Sequence, residues 1–218
     1  MKKAVIFDMD GVVVNTEPIG YRANHQMYKD LNITVPDEVY ATFIGGSDKN
    51  NMQKLKDLYN LEYTRQQLID KKYEYYFKVF DAADDLTLMP GVQELIKDLH
   101  SHGMKLILAS SAAKRKITKI FDRFGLHPFF DAVISGEDFE FSKPHPAIFL
   151  EAVKKTGCTA NECVVIEDSV NGIAAAKAAN IYCIAYKSGL GLPQDTTAAD
   201  ILVTDFKELN YQKIAMIH

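Results

Sequence analysis

The chain has 218 residues, of which 47% are hydrophobic and 25% charged, and its formal net charge is −4. This composition is ordinary for a globular protein, and the length allows one large domain or a core domain with a smaller insert. The acidic balance argues against a nucleic-acid partner, which would need a basic surface. A dense basic cluster, Lys114–Lys116 with Lys119, is interpreted as a solvated helix face, with an anion attractor beside an active site as the alternative.

Three cysteines, at positions 158, 163 and 183, are sparse and odd in number. Such usage is typical of a reducing compartment and not of a disulfide framework. The apolar run before Asp8 is too short for a signal peptide, and no run approaches the roughly 20 residues that span a bilayer. We therefore expect a cytoplasmic protein with no membrane association, and the sequence gives no sign of an obligate protein partner.

Six short apolar runs predict the buried strands of a parallel sheet, because they lack the alternation of half-exposed strands. They lie at Ala4–Phe7, Leu106–Ala109, Ala132–Ile134, Cys163–Ile166, Ile181–Tyr186 and Ile201–Val203. Helical patterns separate most of them, with apolar faces within residues 92–99, 117–124, 148–153 and 173–176. The alternation predicts an α/β fold with a doubly wound, Rossmann-like parallel sheet.

One stretch, from Thr16 to Thr87, breaks this alternation. It contains helical patterns separated by Pro36 and by Gly45-Gly46-Ser47, without a convincing strand. We predict that residues 16–87 form an inserted α-helical cap domain, and that residues 1–15 and 88–218 form the Rossmann-like catalytic core.

Polar side chains lie at or near the ends of four predicted strands. They are Asp8 with Asp10, Ser110, Lys143, and Glu167 with Asp168. Each alone has a simple structural interpretation, since Asp and Ser often cap the next helix and a loop lysine is often solvated. Lys143, for example, lies just ahead of a helix expected to begin near Pro144. Ligands of open α/β sheets, however, bind beyond the carboxyl ends of the strands, which predicts one site containing all six residues.

The residue types in this predicted site indicate phosphoryl-transfer chemistry. Crowded carboxylates repel one another unless a cation lies between them, and oxygen ligands without His or Cys favour Mg²⁺ over zinc. A lysine, a serine and backbone N–H groups can bind phosphate oxygens. A site with a carboxylate nucleophile and these binding groups would catalyse phosphoryl transfer mainly by positioning the phosphoryl group and stabilising its charge.

Four ordered motifs resemble those of the haloacid dehalogenase superfamily over the whole chain. The sequence Asp8-Met9-Asp10-Gly11-Val12 resembles its nucleophile motif, and Leu108–Ser111 resembles its second motif. Lys143-Pro144-x-Pro146 resembles the third, and Glu167–Ala176 the fourth. The helical insert is similar to the cap of the subgroup that includes β-phosphoglucomutase and many sugar-phosphate phosphatases.

The resemblance implies catalytic roles for four of these residues. Asp8 would attack phosphorus and form an aspartyl-phosphate, and Asp10 would protonate the leaving oxygen and later activate water. Ser110, with the N–H of Ser111, would hold phosphoryl oxygens, and Lys143 would neutralise negative charge.

The resemblance also implies the cofactor and the substrate contacts. Mg²⁺ would be held by Asp8, the carbonyl of Asp10 and Asp168, with Glu167 close by or bridged through water. Gly11 would let the backbone approach the phosphate. In the cap, Gly45, Gly46 and Lys49 are candidate substrate-binding residues, and specificity is expected in loops at Gly45–Lys49 and Tyr73–Lys78.

The resulting hypothesis is a Mg²⁺-dependent phosphatase that hydrolyses a small, sugar-phosphate-like phosphomonoester. A phosphomutase of the β-phosphoglucomutase type is the alternative, but such mutases carry a histidine where this chain has Gly20 and charged cap-loop residues where it has Ile44 and Asp48. The negative charge of Asp48 would repel a second phosphate. A non-catalytic phospho-receiver is a third hypothesis; it would lack both the large insert and an aspartate in the position of Asp10.

Overall fold

A six-stranded parallel sheet forms the centre of the structure, a computed structural model that describes residues 1–44, 46–190 and 194–217. The strands are β1 (Ala4–Phe7), β2 (Lys105–Ser110), β3 (Ala132–Ser135), β4 (Cys163–Glu167), β5 (Tyr182–Tyr186) and β6 (Ile201–Val203). Their order is β3-β2-β1-β4-β5-β6, and all neighbours are parallel. The predicted doubly wound α/β fold is therefore confirmed.

Helices cover both faces of this sheet. They are α5 (Val92–Ser101), α6 (Lys114–Phe124), α7 (Ala147–Thr156), α8 (Val170–Ala178) and α9 (Tyr211–Ala215), with 3₁₀ turns at His127–Phe129, Gly136–Asp138, Ala160–Glu162 and Phe206–Glu208. Alternate residues of a strand point to opposite faces, so Val5 and Phe7 pack with α5 and α6, whereas Ala4 and Ile6 pack with α7 and α8. This two-sided cover explains why β1 is wholly buried.

One helix of the core, α7, begins later in the sequence than expected. Helix α7 begins at Ala147, not near Pro144, because a turn closed by the N–H of His145 and the carbonyl of Ser142 precedes it. The turn leaves Lys143 in an irregular segment from which its side chain can reach the sheet edge.

In the part of the chain that the structure describes, four helices lie between β1 and α5. They are α1 (Glu17–Asp30), α2 (Asp37–Ala41), α3 (Asp48–Tyr59) and α4 (Arg65–Ala82). They share a hydrophobic cluster that includes Met27, Met52 and Leu55, but Tyr73, Tyr76 and Phe80 of α4 belong to the cluster of the core. The division into a core and a separate cap at residues 16–87 stays a prediction. None of the described helices has both the length and the apolar character needed to cross a bilayer.

The basic cluster of α6 contacts α4, so its interpretation as a solvated face is wrong in part. The Arg115 guanidinium lies 3.9 Å from the centre of the Tyr73 ring, and Lys119 forms a 2.6 Å ion pair with Asp81. Cation–aromatic contacts of this kind hold a charged side chain against an apolar surface, a use of arginine and lysine that a charge pattern alone does not reveal.

The turn between β4 and α8 is built around the buried carboxylate of Glu167. Its Oε2 accepts hydrogen bonds from the N–H groups of Asp168 and Ser169 and from Ser169 Oγ, at 2.8, 2.9 and 3.0 Å. Its Oε1 lies 2.8 Å from Lys143 Nζ. A Cβ at Gly172 would lie only 1.6 Å from that Oε1, so glycine is required for the carboxylate to lie against the start of α8.

We predict that Gly172→Ala destabilises the protein, although alanine normally stabilises a helix interior relative to glycine. The new methyl group would displace Glu167 and break its buried pair with Lys143, at a cost of about 3 kcal/mol in the free energy of unfolding. Urea denaturation measures this change, and Asn171→Ala on the same turn is the control. A Gly172→Ala protein more stable than wild type would contradict the argument.

Candidate active site

A cavity of about 170 Å³ lies between the carboxyl ends of β1, β2 and β4 and the helices α1, α3 and α4. Eight predicted site residues line it: Asp8, Asp10, Gly11, Gly46, Ser110, Ser111, Glu167 and Asp168. Residue 45 lies outside the described residues. Lys49 lies away from the cavity, because its ammonium donates to the carbonyl of Glu137 at 3.2 Å.

Lys143 joins two of these carboxylates. Its Nζ lies 2.6 Å from Asp8 Oδ1 and 2.8 Å from Glu167 Oε1, and it also donates to the carbonyl of Ala109 at 3.1 Å. The Lys143 side chain is 1% exposed. Burial alone would lower the pKa of this lysine, but the two carboxylates raise it above the ordinary value. Lys143 is therefore a fixed buried cation.

Asp8 and Asp168 carry more negative charge than Lys143 can neutralise. Burial raises the pKa of Asp8 to about 7; Lys143 opposes this shift, while Glu167 and Asp10 add to it. Burial, followed by the charge of Glu167, raises the pKa of Asp168 well above its usual range. Each carboxylate thus stays anionic at neutral pH only with further positive charge nearby.

The donors around this negative charge fit a hard divalent cation. Asp8 and Asp168 offer carboxylate oxygens, and the backbone of Asp10 adds a carbonyl, which together match the oxygen preference of Mg²⁺. Within residues 1–44, 46–190 and 194–217 no group of three His, Cys, Asp or Glu side chains that could hold a metal ion is found. Gly11, at φ +81°, lets the Asp168 carboxylate lie against the backbone, because a Cβ there would lie 2.0 Å from Asp168 Oδ2.

Asp10 is held by two residues that the sequence analysis did not assign to the site. Lys116 Nζ lies 2.7 Å from Asp10 Oδ1, and the Thr16 hydroxyl donates to the same oxygen. Lys116 also lies over the Tyr76 ring, 4.9 Å from its centre. In the sequence, Lys116 appears only as one member of the basic cluster. Its position in the first turn of α6, just after the second motif, is the feature that could have indicated a place in the site.

Ser110 ends β2 inside the site. It is almost fully buried, and its Oγ accepts from the N–H of Ala112 at 3.1 Å. The backbone therefore turns tightly around this hydroxyl, and Ser111 lines the cavity beside it.

The cap side of the cavity differs from expectation in charge. Asp48 forms an ion pair with Lys72 and accepts a hydrogen bond from the Tyr73 hydroxyl. Although burial would raise the pKa of Asp48, Lys72 and Tyr73 bring it below the usual value. The pairing with Lys72 offsets the negative charge that we expected to repel a second phosphate, and that effect of Asp48 stays a prediction. The second expected specificity loop, Tyr73–Lys78, lies within helix α4.

Comparisons with known proteins identify the family of the chain. The family model described as haloacid dehalogenase-like hydrolase matches residues 5–186. Hexitol phosphatase B of Escherichia coli is 31% identical over 192 residues, covering 83% of this chain and 82% of that protein. The Arabidopsis thaliana protein SUPPRESSOR OF QUENCHING 1, chloroplastic, is 33% identical over 189 residues; the match covers 86% of this chain but 18% of that protein.

A solved structure gives the same result for the fold. The β-phosphoglucomutase of Clostridium difficile superposes with a TM-score of 0.85 and 26% sequence identity, covering 98% of this chain and 96% of that one. With a family match over most of its length and a relative above 30% identity at similar length, this chain belongs to the haloacid dehalogenase-like hydrolases and is an enzyme of that family.

Proposed function

We propose that the protein is a Mg²⁺-dependent phosphatase that hydrolyses the phosphomonoester of a small, sugar-like metabolite through an aspartyl-phosphate on Asp8. The observation that carries the proposal is the buried Asp8 carboxylate, fixed 2.6 Å from the Lys143 ammonium and lining one cavity with Asp10, Ser110 and Asp168. The similarity to hexitol phosphatase B supports it. A cytoplasmic location belongs to the same proposal.

The chain's own residues can perform both halves of such a reaction. The Asp8 carboxylate attacks phosphorus, while the Lys143 ammonium and the Ser110 hydroxyl bind the transferring oxygens. Asp10 gives a proton to the leaving oxygen, then takes one from the water that hydrolyses the acyl phosphate. Thr16 and Lys116 hold the Asp10 carboxylate in place for this proton transfer.

In this proposal Asp8, the carbonyl of Asp10 and Asp168 would hold Mg²⁺. The bound ion would supply positive charge to the phosphoryl group and favour the ionised form of these carboxylates. Glu167 would not bind the ion directly, since both of its oxygens already accept hydrogen bonds from Lys143, Ser169 and backbone N–H groups. Gly46 and Lys49, together with Gly45, stay predictions as substrate contacts.

The charges of the cavity favour a phosphatase over a phosphomutase. A mutase must bind a second phosphate, and this requires a cation that has no other partner. Among the described residues that line the cavity, the cationic side chains are Lys72 and Lys116, and each is paired with an aspartate. Gly20, which lines the cavity, offers no side chain that could delay hydrolysis of the aspartyl-phosphate.

The central test is Asp8→Asn. We expect the rate of phosphomonoester hydrolysis to fall at least about 10,000-fold, because the variant lacks the nucleophile, while circular dichroism shows an unchanged fold. Asp57→Asn, which changes an exposed aspartate of α3, should retain wild-type activity. Substantial turnover by purified Asp8→Asn protein would refute the assignment.

The metal requirement gives a second prediction. Activity should disappear in excess chelator and return with Mg²⁺, whereas Ca²⁺ should inhibit, since its longer and looser coordination misplaces the phosphoryl group. Asp168→Asn should raise the Mg²⁺ concentration for half-maximal activity about tenfold or more. Mg²⁺ titrations of both proteins measure this shift, and full activity of chelated, dialysed enzyme would contradict it.

An assay with a single substrate can distinguish phosphatase from mutase activity. With β-glucose 1-phosphate, Mg²⁺ and a catalytic amount of the 1,6-bisphosphate, we expect release of inorganic phosphate and little glucose 6-phosphate. The reason is that Lys72 and Lys116 are each paired with an aspartate, so neither is free to bind a second phosphate. Rapid formation of glucose 6-phosphate without phosphate release would show that the enzyme is a mutase.

A further inference from the structure

Three buried polar atoms of the described residues have no hydrogen-bond partner: Asn24 Oδ1, Tyr28 OH and Tyr76 OH. All three residues line the cavity of the candidate active site. Buried polar atoms without partners are rare in native proteins because each has lost its bonds to water. Their occurrence together in one cavity indicates a common missing partner and not three separate packing defects.

The fold brings these atoms to one side of the cavity. Asn24 and Tyr28 are four residues apart on α1 and therefore lie on the same face of that helix. Tyr76 is on α4, the helix that packs against α1. Tyr40 also lines the cavity.

The arrangement lies next to the residue proposed to protonate the leaving group. Lys116 contacts both parts, with its ammonium 2.7 Å from Asp10 Oδ1 and 4.9 Å from the centre of the Tyr76 ring. A phosphomonoester whose bridging oxygen faces Asp10 would thus extend its non-phosphate part toward Tyr76 and α1. This step rests on the proposed function, because it uses Asp10 as the proton donor.

We propose that Asn24, Tyr28 and Tyr76 form a subsite that binds hydroxyl groups of the leaving group and thereby determines substrate preference. Each tyrosine hydroxyl can donate one hydrogen bond and accept others, and the amide oxygen accepts. Such a set complements neutral hydroxyls, which also do both. It does not suit a carboxylate or a second phosphate, since an anion would face the Asn24 oxygen, and the cations among the described lining residues, Lys72 and Lys116, are each paired with an aspartate.

Ordered water is the competing occupant, because a polar cavity of this size can hold water bonded to the same atoms. The water and substrate hypotheses predict different effects of a Tyr→Phe substitution on kcat/KM. Loss of a bond to water would affect all substrates alike, and loss of a hydroxyl with no partner at all would affect none. Loss of a bond to the substrate would affect only substrates that carry the hydroxyl.

The test compares kcat/KM for D-sorbitol 6-phosphate and D-glucose 6-phosphate with kcat/KM for p-nitrophenyl phosphate, whose leaving group has no further hydroxyl. In Tyr28→Phe, Tyr76→Phe and Asn24→Leu, we expect the ratio of hydroxylated to hydroxyl-free substrate to fall about tenfold. Tyr59→Phe is the matched control: the Tyr59 hydroxyl donates to the carbonyl of Thr34, outside the cavity, so the ratio should not change.

Each outcome decides between the hypotheses. An unchanged ratio in all three variants, with folding verified by thermal unfolding, would overturn the subsite and leave water as the partner. A wild-type enzyme that cleaves p-nitrophenyl phosphate but shows no preference for either hydroxylated substrate would overturn the subsite alone. A wild-type enzyme that hydrolyses none of the three with Mg²⁺ would count against the proposed phosphatase function itself.

Discussion

The rest of the site depends on one buried cation shared by two carboxylates. Lys143 lies between Asp8, which follows β1, and Glu167, which ends β4, so a single side chain ties two neighbouring strands to the loop that precedes α7. Removal of either carboxylate or of the lysine would leave a buried charge without compensation. The same arrangement leaves the group one negative charge in excess before Asp10 and Asp168 are counted, and this excess favours the bound cation that we propose.

Two glycines are required because these charges lie directly against the backbone. Gly11 leaves room for the Asp168 carboxylate, and Gly172 leaves room for that of Glu167. In both cases the space that a Cβ would need is filled by a carboxylate oxygen, so the motif glycines serve the electrostatics of the site. The positive φ of Gly11 adds a second, conformational reason at that position.

The sheet and the core of the site could be predicted from sequence because their signals are local. A strand buried on both faces, such as β1, is an uninterrupted apolar run, and Asp8 follows directly from where that run ends. Lys72 and Tyr76 carry no such signal. Their positions arise from the packing of α4 against the core, which neither periodicity nor charge pattern specifies; for the same reason the pairing of Asp48 with Lys72 could not be predicted.

In the proposed enzyme, the pairing of each lysine with an aspartate separates phosphate binding from the discrimination among substrates. Lys143, Lys72 and Lys116 each hold an aspartate before any substrate enters, so none of them offers a full positive charge to an incoming anion. In the proposed enzyme, a phosphoryl group entering this cavity would therefore need the charge of a divalent cation beside Asp8 and Asp168 in addition to that of Lys143. The remainder of the substrate meets a wall whose unpartnered groups are neutral. In the proposed enzyme, affinity for the phosphate would thus depend on the metal, and discrimination among phosphate esters on the hydroxyl-bearing wall formed by α1 and α4.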